Sequence, residues 1–575
     1  MENSRNMILA IVLSALVLIG WSVLSDRFFP TPKTVTTKTG QPISSTPATA
    51  PVIDASKTLR DVAVVRAESP RVTINTPKIN GSINLRGAQI DDLVMSDYKE
   101  TIKKDSPPVR LFAPNGSKNS YYAGFGWVGD AQSVPGPTTL WQADSQQLTA
   151  DQPVTLRWDN ASGQTYTIKI SIDREYIFTV EQAVANTSTN AFATRPYSFL
   201  SRFGKSKDPS TWTNHVGPIG AFDNSVMYDV DYQYLDGNEP GFFSKMFGTK
   251  GKAGENRFAS KGGWIGFGDH YWLTALIPAK NANIDAAFRA GKGSYQAEFA
   301  NAPTTVQPGK AIVVTTRLFA GAKEVRLLDG YEADQGIIHF GKAIDWGWFE
   351  IIAKPFFYLL DWLFKLAGNF GVAIMLLTVI VRGAMFPIAQ RQFASMAAMR
   401  VVQPKLKALQ ERYKDDKPKL QQEMMALYKA EKVNPMAGCL PVVLQIPVFY
   451  ALYKVLMVTI EMRHQPFFGW IKDLSAPDPA HILNLFGLLP FTPPSFLGIG
   501  VLALLLGVTM WLQFRLNPAP MDPVQQQMFA IMPWMMMFVM APFAAGLLIY
   551  WATSNVLTIA QQNCSTRATH RSKNR

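Results

Sequence analysis

Cysteine is nearly absent from this 575-residue chain: it has two, Cys439 and Cys564, both in the apolar C-terminal half. The large polar half has none, so a disulfide framework is excluded there, although its expected compartment would permit one. No cysteine directly follows the first apolar run, which argues against an N-terminal lipid anchor on cysteine. The six histidines (His215, His270, His339, His464, His481, His570) are scattered, and none forms a metal-binding spacing. No cofactor is expected. No zinc-ligand spacing or RNA-binding module accompanies the net charge of +13, so an anionic membrane, not direct contact with nucleic acid, accounts for it. No inverted repeat is visible, which speaks against a secondary transporter.

The chain is 47% apolar and 17% charged, but these are averages over two unlike parts. Met7–Leu24 is an uncharged run of about the length a bilayer needs, and residues 1–27 read as an uncleaved anchor. Residues 28–58, rich in Pro, Thr, Ser and Lys, cannot bury a core and read as a flexible tether. Over 59–343 the apolar pattern has period two. Val154, Leu156 and Trp158 alternate, Asn160–Gly163 turns, and Tyr166, Ile168, Ile170 and Ile172 alternate again. That predicts antiparallel strands in one large β-sandwich domain. Lys245–Lys261 reads as an exposed Gly/Lys-rich loop.

From 344 to 367 the period returns to 3.6, as in an amphipathic helix lying in a membrane interface, with Pro355 predicted to break or kink it. Residues 368–562 then hold five apolar segments: Asn369–Phe386, Ala437–Ile460, Phe496–Phe514, Gln527–Met540 and Ala544–Ile559. The last two, three residues apart, suggest a tight hairpin. With the anchor they make six spans. Residues 388–434 predict two amphipathic helices turning at Asp415–Pro418. This stretch carries ten Lys and Arg against five acids, and the 563–575 tail is basic throughout. The positive-inside rule places both in the cytoplasm, with both termini, and puts the β-domain outside.

Arg382 lies within the second apolar segment, before Gly383–Phe386 ends it. A cation at that depth costs about 2.5–3.5 kcal/mol unless it meets water or a partner. None of the five C-terminal segments contains Asp or Glu. Polar side chains recur in them: Thr378 on the face of Arg382, Gln445, Gln513, Ser554 and Asn555. Singly each suits a helix–helix hydrogen bond. Together with the arginine they predict a hydrated cavity.

The stretches TVIVRGAMFP, QQEMMALYKAEKVNPMAGCLPVVLQIPVFYALY, FGWIKDLSAPDP and GLLIYWATSNVLTIAQQ resemble the YidC/Oxa/Alb membrane insertase family over nearly the whole chain. The resemblance implies a multi-pass bacterial inner-membrane protein. Its fold would be an α-helical six-span core with a cytoplasmic helical hairpin and a large all-β periplasmic domain, a β-supersandwich like those of sugar-binding folds. Arg382 would attract acidic substrate segments. Thr378, Tyr550 and Trp551 would touch the substrate helix, and Gln445 and Gln513 would keep the groove wet. Implied partners are nascent membrane proteins, the Sec translocon and its accessory subunits, the ribosome and targeting machinery through the hairpin, and membrane lipids. One departure is the apolar, Pro-rich stretch HILNLFGLLPFTPPSF before the fourth span, which obscures where that span starts. The rival reading is a tethered periplasmic hydrolase acting on sugars; the β-domain has carboxylates such as Asp173 and Glu175, but neither lies in a recognisable catalytic constellation, and exposed strand-edge charges are the default reading.

Overall fold

The computed structural model describes residues 59–575 apart from 130–133, 209–213, 224, 238–253, 292, 414–415, 432–439, 488, 490, 492–497, 517–522 and 574–575. The expected anchor and tether lie outside the described residues. The chain divides after Asp345 into two compact units.

The first unit is built on two sheets, of eleven and nine strands. The alternation at Val154–Ile172 becomes neighbouring antiparallel strands, Val154–Asp159 and Gln164–Ile172, in register Val154↔Ile170. Tyr166, Ile168, Ile170 and Ile172 all turn inward. Ile177–Asn186 follows, paired on its other side with Ala311–Ala322. Asn160 shapes the intervening turn by accepting the Ser162 and Gln164 backbone N–H groups at 3.0 and 2.8 Å. Ile79–Asn84 pairs with Gln89–Lys99 so closely at Gly81 that a Cβ there would sit 1.9 Å from the Asp92 carbonyl oxygen. No side chain fits at that point.

Two features escaped the pattern analysis. Glu255–Lys261, expected as part of a loop, is a strand against Asn283–Gly291 with Asn256, Phe258 and Ser260 buried. The lysines and glycines around it hid a period-two signal. The core also holds charge. Arg202 pairs with Asp269 at 2.7 Å while its guanidinium lies 5.1 Å from the Tyr121 ring centre and 5.9 Å from that of Tyr232. Asp173, one of the carboxylates named above for the hydrolase rival, holds a turn. It accepts the Glu175 and Ile177 backbone N–H groups, and the Tyr331 hydroxyl at 2.6 Å. Tyr331 lies on helix α1, Val325–Gln335.

The second unit is helical. Its elements are α2 (Glu350–Ala367), α3 (Phe370–Ala384), α4 (Phe386–Arg412), α5 (Lys417–Ala430), α6 (Leu440–Val458), α7 (Val501–Leu516), α8 (Pro523–Met540) and α9 (Ala545–Lys573). Helix α2 runs through Pro355 without the expected break. The carbonyl that loses its partner there belongs to Ile351, which is 87% exposed. Asp416 caps α5 by accepting the Lys419 N–H at 3.1 Å. Val402 and Leu406 of α4 pack on Met424, Leu427 and Tyr428 of α5, and Lys405 reaches Glu431.

The segments expected as a tight hairpin, now α8 and α9, do not pair along their length. Helix α7 packs against both. No single described helix is long and apolar enough to cross a membrane, although α3 and Phe386–Gln392 pass that test together across a 61° bend.

His215 gives the β unit a pH dependence. Burial holds its imidazole below the ordinary histidine range, and its Nε2–H donates to the Pro218 carbonyl at 2.8 Å. The unfolded chain therefore takes up this proton at a higher pH than the folded one. Stability is full above the unfolded value of about 6.5 and falls as pH drops below it, by up to about 1.4 kcal/mol per pH unit. Asp91 and Glu298 are shifted upward by burial and act in the opposite sense. Comparing the full chain with His215→Gln cancels their effect. The expected outcome is a melting temperature that falls more steeply in the parent than in the variant between pH 7 and 5; parallel curves would refute it.

Candidate functional site

Helix α3 starts at Asn369, whose side chain accepts the Val372 N–H at 3.2 Å. It ends in the bend at Met385. The sequence suggested one helix through Phe386. Pro387, in the first turn of α4, has no N–H to close a bond back to Gly383, and the axis turns there. Arg382 thus occupies the last turn of α3, half-buried.

Its guanidinium points inward, to α9. The Nε–H donates to the Ser554 hydroxyl at 2.9 Å, and a terminal N–H reaches the same oxygen. One turn earlier on that face of α9 is Tyr550, almost fully buried, whose hydroxyl accepts from the Gln445 amide of α6. Two successive turns of α9 therefore receive polar side chains from two other helices. Carboxylates are absent from α3, α6, α7, α8 and α9. Among the described residues the cation is met by the Ser554 hydroxyl and by no counter-charge.

The remaining expected residues are placed differently. Thr378 is fully buried, and its hydroxyl donates to the Ile374 carbonyl of its own helix at 2.7 Å. Asn555 turns to α7 and donates to Thr509 at 3.2 Å. Trp551 packs edge-on against Phe449, ring centres 5.0 Å apart. Gln513 is half-buried one turn beyond Thr509 and does not line the space beside Arg382.

That space is small. A cavity of about 20 Å³ is lined by Arg382, Met385, Gln392, Thr558 and Gln561 among others. It is the size of a single water. Gln561 Oε1, buried without a protein partner, borders it. Of the polar groups expected to wet a hollow, Ser554, Gln445 and Asn555 bond across the helices to Arg382, Tyr550 and Thr509. Ser554 is the direct partner of Arg382, and Thr509, Thr558 and Gln561 extend the set. The spacing Tyr550, Ser554, Thr558, Gln561, one face of a helix, was the available signal.

Two family models divide the chain: "YidC periplasmic domain" matches residues 71–359 and "60Kd inner membrane protein" matches 362–573. They define an inner-membrane protein in which a large β-rich periplasmic domain precedes a helical region. The membrane protein insertase YidC of Zymomonas mobilis is 47% identical over 97% of this chain and 94% of its own length. That of Methylorubrum extorquens is 44% identical over 98% and 94%. A solved structure of an active YidC insertase with its first transmembrane domain resolved covers 96% of this chain and 98% of its own, at 16% identity and a TM-score of 0.36. On the sequence matches, the chain belongs to the YidC family of membrane protein insertases, which are not enzymes.

The pair Gln445–Tyr550 should behave as a coupled unit. Tyr550→Phe leaves the Gln445 amide without its acceptor, and Gln445→Leu leaves the tyrosine hydroxyl unpaired. A double-mutant cycle on unfolding in mixed micelles should give a coupling of roughly 0.6–2 kcal/mol. Additive single effects would mean the two groups do not depend on each other.

Proposed function

We propose that this protein inserts and folds integral membrane proteins in the inner membrane, through a polar groove centred on Arg382, alone or beside the Sec translocon. The observation that carries the reading is a half-buried guanidinium held by a neutral serine in an acid-free set of apolar helices. A carboxylate on an incoming chain competes well with that hydroxyl, since charge-assisted hydrogen bonds are about twice as strong as neutral ones. Low dielectric strengthens the attraction further. In this reading Thr378, Gln445, Gln513, Tyr550, Trp551 and Asn555 form the walls that part around a client helix. The client then leaves sideways into lipid, driven by burial of its apolar surface at about 25 cal/mol per Å².

The same proposal gives the topology. Six spans place both termini and the α4–α5 pair in the cytoplasm, where the pair receives nascent chains from the ribosome and targeting machinery. The β unit is periplasmic. Arg382 must be a fixed charge near mid-membrane and not a surface cation, which fits its inward turn toward Ser554.

The test is insertion into vesicles containing the purified full-length protein, read by protease protection of the client. Arg382→Ala should impair clients with acidic translocated segments, and Arg382→Lys should be milder. A loss of about 1.4 kcal/mol at the transition state would slow insertion about tenfold. Clients with uncharged translocated segments should respond less. Unchanged insertion of every acidic client would remove Arg382 from the mechanism.

A further inference from the structure

Helices α3, α7 and α9 all begin against one loop, residues 465–480. The first N–H groups of a helix have no partner within it and must find acceptors elsewhere. Those of α9 find carbonyls of this loop: the Ala545 N–H donates to Ala476 at 2.8 Å and the Gly546 N–H to Leu474 at 3.0 Å. At α3, the capping residue Asn369 donates its amide to the Pro466 carbonyl at 3.4 Å. The Phe467 ring fills the space that a Cβ at Gly371 would need. At α7 the Val501 N–H donates to the Ala480 carbonyl at 3.2 Å, and the next acceptor is a side chain. Asp478 Oδ2 accepts the Leu502 N–H at 2.8 Å. Gly500 permits this seat, since a Cβ there would lie 2.7 Å from the carboxylate.

Asp478 is 1% exposed. A carboxylate buried to that degree is costly unless its oxygens are hydrogen-bonded. Both are. Oδ1 accepts the Ala480 N–H and the Trp470 indole N–H, each at 3.0 Å. One side chain therefore ties the two limbs of the loop to each other and to the start of α7. These bonds have an ionised acceptor, which makes them about twice as strong as neutral ones. The start of α7 also carries about half a positive charge, which favours an anion there. Ile471 and Leu474 anchor the middle of the loop by burial. Farther along, the same three helices are joined by side-chain hydrogen bonds. Arg382 of α3 meets Ser554 of α9, and Asn555 of α9 meets Thr509 of α7. Those bonds need the helices in one axial register, and the loop holds the starts from which that register is counted.

We infer that Asp478 is a positioning residue for insertion. It locks the 465–480 loop to α7 and so holds α3, α7 and α9 in the register that brings Ser554 to Arg382 and Thr509 to Asn555, without meeting the client itself. A residue that sets helix register acts on every client, whatever its charge. The inference rests on the insertase activity of the family, not on the role given to Arg382, whose loss should be felt by acidic clients first.

The test compares the full-length protein with Asp478→Asn in phosphatidylethanolamine–phosphatidylglycerol vesicles. Asparagine fills the same space but has one acceptor oxygen, and its NH2 group opposes an N–H. Two measurements are made. Insertion of one client with an acidic translocated segment and one with an uncharged segment is read by protease protection. Distances are read by electron–electron double resonance between nitroxides, with Cys439→Ser and Cys564→Ser as background. The pair Phe468→Cys and Leu505→Cys spans loop to α7; the pair Val379→Cys and Val556→Cys spans α3 to α9 near Arg382. All four sites are exposed. In Asp478→Asn both distance distributions should broaden at unchanged helix content, and both clients should slow by the same factor. Trp470→Phe, which removes one donor of three, should do the same to a smaller degree and serves if Asp478→Asn does not fold. An unchanged loop–α7 distance overturns the inference. So does broadening confined to that pair, or undiminished insertion, either of which makes the carboxylate a local brace only. A loss confined to the acidic client would mean that Asp478 acts through the client's charge, and overturns it as well. None of these outcomes bears on Arg382→Ala, which is read separately.

Discussion

A positive charge with no negative one to answer it constrains the helical unit. Placing a guanidinium among apolar helices is costly, and a carboxylate partner would be the direct remedy. These helices have none, so Arg382 relies on the Ser554 hydroxyl, and the neighbouring turn of α9 repeats the arrangement with Tyr550 and Gln445. Dipoles soften the charge without cancelling it. A salt bridge would have made the helices more stable and the arginine inert.

The β unit treats buried charge the opposite way. Asp269 neutralises Arg202 and two tyrosine rings flank it; Asp91 and Asp92 are likewise met by Arg71, Arg66 and Arg110. These buried carboxylates each have an arginine as complement. The contrast is between arginines met by carboxylates in one unit and an arginine met by a hydroxyl in the other.

Much of this was legible in the residues. Period-two patterning located the strands around Val154–Ile172 because each buries alternate side chains against the facing sheet. The arginine stood out because a charge in an apolar run is rare. What the sequence hid is physical in origin. Glu255–Lys261 looked like loop because its outward residues are charged and glycines precede it. The bend after α3 escaped notice because the apolar run continues smoothly through Met385, while the cause, a missing N–H at Pro387, is local and has no signature in hydropathy. Which polar groups bond to one another was hidden too, because side-chain counts show how many a segment has, not whether they will satisfy one another. Ser554 was noted among several polar residues, but only the fold shows that it faces Arg382.

The break between α3 and α4 has a mechanical consequence. A straight rod from Phe370 to Arg412 would convey any tug or twist on its far end to the guanidinium near its middle. With the axis turned by 61° at Met385, Arg382 lies on the inner segment, tied to α9 through Ser554, and a push along the outer segment is not carried down one straight axis.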